Sequence, residues 1–385
     1  MTKRCLWPQA LPEDAASARL LGRMDFGAGP TPVLLHGGSV FDLSATAPTV
    51  SELLEALQPG CLPAGRRLGT VEDVAARASL LAPIDLQCIK AAGVTFATST
   101  LERVIEERAG GDPLQAEAIR ARLAGRIGGD LRSVKPGSQQ AEQLKKALQA
   151  DGLWSQYLEV AIGPHAEVFT KAPVLSAVGA GADVGIRADS SWNNPEPEIV
   201  LVCDSRGRVH GATLGNDVNL RDLEGRSALL LGKAKDNNAA CAIGPFVRLF
   251  DDGFTLDDVR GCTVQLEVGG EDGFELQGES SMRQISRDPL ELVAQAVGKH
   301  HQYPDGFVLF LGTMFAPVQD RGAPGQGFTH HVGDIVRIRT PRLGVLENRV
   351  VHCDAAPPWS FGVAALMRNL AARGLLHRSR GDNHA

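Results

Sequence analysis

No apolar run in this 385-residue chain approaches the length of a membrane span. A basic surplus is also missing. The formal net charge is −6, which offers nothing to a nucleic-acid partner, and no basic amphipathic tract suggests a membrane surface. The start, "MTKRCLWPQALPEDAA", carries charge but no apolar stretch of the kind a secretory signal needs, so no signal peptide is expected. There is no C-x-x-C pair. The seven cysteines (Cys5, Cys61, Cys88, Cys203, Cys241, Cys262 and Cys353) are scattered and odd in number, which fits reduced thiols in a cytoplasm. Internal repeats and low-complexity tracts are absent.

What remains is an ordinary globular composition, 43% hydrophobic and 22% charged. The 43 glycines and 22 prolines imply many turns and a β-rich core. Residues 17–47 read as a strand–turn–strand meander, and "TVSELLEAL" as a short helix capped by Thr49 or Ser51. The Pro/Gly/Arg-rich stretch 59–75 looks like a connector. A small N-terminal α/β domain is therefore expected over 1–80, a larger domain over 81–376, and a disordered polar tail at 377–385. Within the larger domain, 98–160 carries helical spacing. Strands are expected near 167–170, 198–203, 208–214, 263–268, 307–312, 334–339 and 348–352, with helices near 246–250 and 288–300. The class is α+β and β-rich.

The stretch "SWNNPEPEIVLV" places Glu196 and Glu198 at the mouth of an apolar, β-branched run. Residues i and i+2 of a strand share a face, so the two carboxylates point together. Pro197 cannot donate to a ladder and belongs at a strand start or edge. Asp217 follows the next strand, "RVHGATLG", precedes a charged turn, and can approach both glutamates if the two strands are neighbours. Three carboxylates without a nearby His or Cys form an all-oxygen set suited to Mg²⁺ first, then Mn²⁺ or Ca²⁺. The competing reading is a solvent-facing, charged strand edge that discourages aggregation. Lys233, in "LLLGKAKDNNAACAIGPF", is an ordinary surface lysine or an ammonium beside the anionic site. Gly312-Thr313, closing the strand "DGFVLFLGTM", offers a backbone N–H and a hydroxyl to an anion, or is simply a turn.

In order along residues 80–355, "LLAPIDLQCIKAAGVTFATS", "TKAPVLS", "NPEPEIVLV", "LGNDVNLRDLE", "LGKAKDNNAACAIGP", "FLGTMFAP" and "VGDIVRIRTPRLGVLENRV" resemble the fumarylacetoacetate hydrolase superfamily. That resemblance implies a fumarylacetoacetate hydrolase-like core, a distorted β-barrel or layered β-sheet, with a small N-terminal domain and helical insertions. It implies Mg²⁺ on Glu196, Glu198 and Asp217, a site lysine at Lys233, and substrate contact at Gly312 and Thr313. Lys171 and Ser176 fall at a family position near the site. A homodimer or higher homo-oligomer is implied, with a small-molecule substrate.

The sequence departs from the hydrolases in one place. Where they commonly read G-x-N-Y-x-x-H-x-x-E, this chain has Thr95 for Asn, Phe96 for Tyr and Ser99 for His, and keeps Glu102. No imidazole is then available there to activate water. The stretches "AAGVTFATSTLERVIEER", "SWNNPEPE", "KAKDNNAACAIGPFVRLFD", "KHHQYPDGF" and "PGQGFTH" resemble a narrower group, the sugar-acid dehydratases acting on 2-keto-3-deoxy-pentonates. The implied reaction turns 2-keto-3-deoxy-D-xylonate into 2,5-dioxopentanoate and water in oxidative pentose breakdown. Lys233 or Glu102 would take the proton, and Ser99 and Thr100 would meet substrate hydroxyls. A Mg²⁺-dependent C–C hydrolase or decarboxylase of acylpyruvates, and a non-catalytic sugar-acid binding protein, are the alternatives.

Overall fold

The computed structural model describes residues 7–376 except 59, 121–133, 151, 316 and 323–326. The expected tail at 377–385, part of the helical stretch 112–131 and part of "PGQGFTH" lie outside the described residues.

Two β-sheets carry the architecture. The first has eleven strands. Its main path runs Arg66–Thr70, Ser39–Asp42, Pro30–His36, Leu20–Asp25, Cys241–Leu249, Val209–Asp217, Pro197–Cys203, Phe307–Phe310, Cys88–Gly93 and Glu167–Ala172. Ser79–Leu80 pairs off this path with Leu20–Asp25. The second sheet has five strands, in the order Glu275–Ser281, Thr263–Gly269, Ile335–Thr340, Gly344–His352 and Asp183–Ile186. Both are open-ended among the described residues, so the expected core takes its layered form here rather than a closed barrel.

Strand Pro197–Cys203 shows why its sequence is almost continuously apolar. Ile199 and Leu201 join a core with Val264, Leu266, Val336 and Ile338 of the second sheet. Val200 and Val202, facing the other way, pack with Leu53 and Leu54. Those two leucines belong to helix Val50–Ala56. A strand covered on both faces has no polar side to alternate with. Each such side chain contributes roughly 2 kcal/mol by leaving water. Helix Val50–Ala56 starts where expected, with Thr49 accepting from Glu52 N–H at 3.1 Å. The carboxylate of Asp85 takes the Val50 and Ser51 N–H groups as well.

The N-terminal segment shares the large sheet with the rest of the chain, because Leu20 and Leu21 pair with Arg248 and Val247. It also has an apolar cluster of its own around Leu20, Met24, Val33 and Phe246. The connector at 59–75 contains strand Arg66–Thr70 and helix Val71–Ala75. The helix expected near 246–250 is instead the end of strand Cys241–Leu249, buried along its whole length. A short apolar run has no period that separates a central strand from a buried helix. Helices Ala97–Ala109, Gln139–Ala150 and Gln156–Ile162 pack around Val104, Ile105, Leu148 and Leu158, and the helix near 288–300 is Pro289–Ala296.

Candidate metal centre

The antiparallel register between Pro197–Cys203 and Val209–Asp217 sets Pro197 opposite Asn216 and Glu198 opposite Gly215. The Asp217 N–H donates to the Glu196 carbonyl at 3.1 Å, and the Glu196 N–H donates to Asn216 Oδ1 at 3.1 Å. These bonds hold the entry of one strand against the exit of the other. Glu196, Glu198 and Asp217 are all buried, and one carboxylate oxygen from each lies within 4.8 Å of the others. The solvent-facing edge is thereby excluded for this segment.

Three like charges this close need compensation. Lys235 Nζ pairs with Glu196 and lies 3.1 Å from Asp217 Oδ2. Lys171 Nζ, fully buried, lies 2.7 Å from Asp217 Oδ1. Arg103 Nη2 pairs with Glu196 Oε1. Burial works against ionisation of Asp217, but the two ammonium groups outweigh it and hold its carboxyl below the usual range. Glu198 has weaker support. It accepts the Gly312 N–H at 2.6 Å, while burial, Asp217 and Glu196 together push its carboxyl well above the usual range. A buried carboxylate short of positive partners, in an all-oxygen trio, fits a hard divalent cation.

The cavity over the trio has a volume of about 30 Å³. Its walls include Ser99, Arg103, Glu167, Phe169, Glu224, Lys235, Gly312 and Thr313. Glu167 sits at the head of strand Glu167–Ala172, opposite Gly93. A Cβ on Gly93 would lie 2.1 Å from Glu167 Oε2, so that glycine makes room for the carboxyl. Burial first, then the charge of Glu224, raises Glu167 to about 7. Gly312 adopts φ +85°, and a Cβ there would strike Thr95 Oγ1. Thr95 Oγ1 is fixed by donating to the Leu311 carbonyl at 2.7 Å.

The structure sorts the sequence candidates. Ser99, Gly312 and Thr313 line the cavity with the trio, and Lys171 braces it from beneath through Asp217. Lys233 does not reach it. It is exposed on the short helix Leu231–Lys235, and Lys235, two residues on, is the lysine that enters the site. Glu102 is held by Arg120 at 2.7 Å and Arg221 at 3.3 Å, away from the cavity walls, so it anchors a helix rather than facing substrate. Thr100 is buried and donates its hydroxyl to the Phe96 carbonyl at 2.8 Å. Ser176 donates to the Pro173 carbonyl at 2.7 Å and lies outside this cavity.

Sequence reading missed Arg103, Glu167, Glu224 and Lys235. Arg103 ties Glu196 to Glu106 at 2.6 Å and to Glu224 at 2.8 Å. Glu106 in turn holds Arg221 at 2.6 Å, and Arg221 stacks on Trp192 with its guanidinium carbon 4.3 Å from the ring centroid. The run "ERVIEER" looks like a solvated helix face. Burial of Glu102 and Glu106 on that helix is a tertiary fact with no local signal.

Comparison with known proteins gives a consistent family assignment. The family model described as fumarylacetoacetate (FAA) hydrolase C-terminal matches residues 155–351. A 2-dehydro-3-deoxy-D-arabinonate dehydratase from Saccharolobus solfataricus is 31% identical over 180 residues, 47% of this chain and 57% of that protein. A probable 2-keto-3-deoxyxylonate dehydratase from Haloferax volcanii is 31% identical over 194 residues, 50% of this chain and 63% of that protein. The match thus spans less than two thirds of either relative. Among solved structures, a 2-keto-3-deoxy-D-arabinonate dehydratase complexed with magnesium and 2,5-dioxopentanoate superposes with TM-score 0.60 at 20% identity, over 86% of this chain and 99% of that one. A fumarylacetoacetate hydrolase from Exiguobacterium antarcticum superposes with TM-score 0.55 at 16% identity, over 87% and 100%. At those identities the superpositions speak for the fold.

Proposed function

The chain belongs to the fumarylacetoacetate hydrolase family, and from that premise we propose that it is a Mg²⁺-dependent hydro-lyase converting a 2-keto-3-deoxy-pentonate, 2-keto-3-deoxy-D-xylonate in first place, to 2,5-dioxopentanoate and water. The observation that carries the reading is the buried trio Glu196, Glu198 and Asp217 beneath a cavity walled, among the described residues, by carboxyl, ammonium and guanidinium groups but no histidine. The two relatives named as dehydratases of such acids support the same reading, as does the dehydratase of the same fold solved with magnesium and 2,5-dioxopentanoate.

Glu196, Glu198 and Asp217 would hold the ion. When bound, it would chelate the carboxylate and keto oxygens of the substrate and stabilise negative charge on the keto oxygen. The remaining work falls to the chain's own groups. Glu167, raised to about 7, is the carboxyl in the wall best matched to exchange a proton with C3 near neutral pH. Loss of that proton makes the C4 hydroxyl a leaving group. It departs with a proton as water, the proton then given up at C5 is matched by one returned to C3, and the resulting C4–C5 enol tautomerises to the C5 aldehyde. In the metal-free chain Lys235 carries its proton. Burial disfavours its charge, but Asp217, Glu196 and Glu224 outweigh burial and keep it an ammonium. It serves as a fixed positive donor. Ser99 and Thr313 are placed for substrate oxygens.

The deciding experiment follows product formation from 2-keto-3-deoxy-D-xylonate by trapping the aldehyde, with and without a chelator. One aldehyde per substrate, dependent on Mg²⁺, is expected. Turnover undiminished in metal-stripped protein would refute the reading.

A further inference from the structure

Glu224 takes no part in the chemistry above, yet it lines the carboxylate cavity and is only 5% exposed. It closes the short helix Arg221–Glu224, which follows Asp217 in the chain. Arg103 fixes its place. Nη1 of that guanidinium lies 2.8 Å from Glu224 Oε2, and Nη2 pairs with Glu196 Oε1. Glu224 is therefore set one guanidinium's width from a member of the trio. The first two carbons of a 2-keto acid belong at the ion, so Glu224, outside the trio, is a wall for the rest of the chain.

The two oxygens of Glu224 differ. Oε2, beside Arg103, is sealed from solvent. Oε1 is not sealed, and among the described residues nothing donates to it. It is the acceptor that a ligand can reach.

The cations of this wall are already matched. Lys235 pairs with Glu196 and Asp217, and Arg103 with Glu106, Glu196 and Glu224. Of the other donors, the Gly312 N–H goes to Glu198 at 2.6 Å, and the Ser99 hydroxyl to the Phe96 carbonyl at 3.0 Å. Thr313, whose Oγ1 accepts the Phe315 N–H at 3.1 Å, keeps a neutral donor. Glu167 adds a second carboxyl. Beyond the trio the wall thus offers acceptors and negative charge, with no unpaired cation among the described residues that line it. A hydroxyl matches such a wall. A second carboxylate does not, because it would be buried against like charge without a partner.

We propose that Glu224 is a specificity-determining residue: Oε1 accepts a hydrogen bond from a hydroxyl at the far end of a 2-keto acid, and the carboxylate turns away 2-keto acids that carry a second carboxylate there. This selection rests on the reading above in that a 2-keto acid is the ligand. It works by exclusion as much as by attraction. 2-Oxoglutarate has the five carbons and the 2-keto acid head of a 2-keto-pentonate, and differs in carrying a carboxylate at C5.

Calorimetric titration of the full Mg²⁺-loaded chain with 2-oxopentanoate and with 2-oxoglutarate tests the selection. Burial raises the Glu224 carboxyl above its usual range, against the pull of Arg103 and Lys235, so binding is read at about pH 8, which favours the ionised form. Neither ligand has a C4 hydroxyl to eliminate, so binding is measured whether or not the chain is a dehydratase. 2-Oxoglutarate is expected to bind at least tenfold weaker than 2-oxopentanoate. In Glu224→Gln that ratio should fall at least fivefold. Glu224→Asp keeps the charge and should hold the ratio within about threefold of the native one. Taking the ratio within each variant cancels a general loss of metal, and the native ratio carries the test if Glu224→Gln does not fold. Equal binding of the two acids by the native chain, no binding of 2-oxopentanoate, or an unchanged ratio in Glu224→Gln would overturn the proposal. Absence of aldehyde from 2-keto-3-deoxy-D-xylonate would instead refute the dehydratase reading and leave the ratio standing.

Discussion

Lys235 Nζ lies 3.1 Å from Asp217 Oδ2, and the same ammonium pairs with Glu196, so one side chain bridges two members of the trio. Lys233, two residues earlier on the same short helix, faces solvent. The pair makes an internal control. Lys235→Met is expected to lower kcat by roughly a hundredfold or more, about 3 kcal/mol of lost transition-state stabilisation. Lys233→Met should leave kcat within about twofold, as surface substitutions generally do. Steady-state kinetics on both variants decides it. A severe kcat defect in Lys233→Met would return the role to that residue.

The trio is expected to act as a unit. Glu196→Gln, Glu198→Gln and Asp217→Asn should each cut turnover by roughly a hundredfold or more. Each should also weaken Mg²⁺ binding measured by calorimetry, independently of turnover. Glu198→Gln is the most informative of the three, because Glu198 lacks the cation partners that Glu196 and Asp217 have. Its glutamine variant should fold well, since burial and the neighbouring carboxylates already disfavour a charge there, while binding metal poorly.

Much of this centre was legible in the sequence because strand geometry is local. The i, i+2 rule puts Glu196 and Glu198 on one face, and an antiparallel neighbour brings Asp217 to them. Lys235 was not legible, since nothing in "LGKAKDN" says which of two lysines on a five-residue helix turns inward. Glu167 opens an expected strand, but its importance depends on the facing Gly93 and the nearby Glu224, which sequence separation hides. Arg103 and Arg221 read as solvated charges, but Arg221 is buried and Arg103 partly buried by a network assembled from distant segments. Strand Cys241–Leu249 was mistaken in part for a helix because burial on both faces erased its alternation.

Glu167 connects the chemistry to pH. Its folded value of about 7 stands above the ordinary 4.5, so the folded metal-free chain binds this proton more tightly than the unfolded chain does. The corresponding stabilisation is fully present below 4.5 and is lost as pH rises to about 7, an effect on the order of 3 kcal/mol. Glu167→Gln should flatten that part of the stability–pH curve in chemical denaturation. For catalysis the ionised form is the useful one, so turnover should rise with pH as Glu167 ionises, with its midpoint below that of the metal-free chain because a bound divalent cation favours the carboxylate. Glu167→Gln should lose both kcat and solvent exchange of C3 hydrogens. Retention of full C3 exchange in D₂O would assign the proton to another group.

Ser99 tests what separates elimination from hydrolysis at this site. It lines the cavity and donates its hydroxyl to the Phe96 carbonyl at 3.0 Å, where the hydrolase pattern carries an imidazole. With no such base, water is not activated there, and the chain should not cleave acylpyruvates at a useful rate. It should still exchange the C3 hydrogens of simple 2-keto acids with D₂O, because that step needs only a chelating ion and Glu167. Ser99→His is expected to gain at most traces of hydrolysis. Positioning an attacking water needs supporting hydrogen bonds as well as an imidazole, and Glu102, which the pattern would supply, is locked to Arg120 and Arg221. Product analysis by mass spectrometry on 2-keto-3-deoxy-D-xylonate separates the routes. Elimination leaves all five carbons in one aldehyde, whereas pyruvate as the main product would mean that the C3–C4 bond breaks instead, and the dehydratase reading would fall.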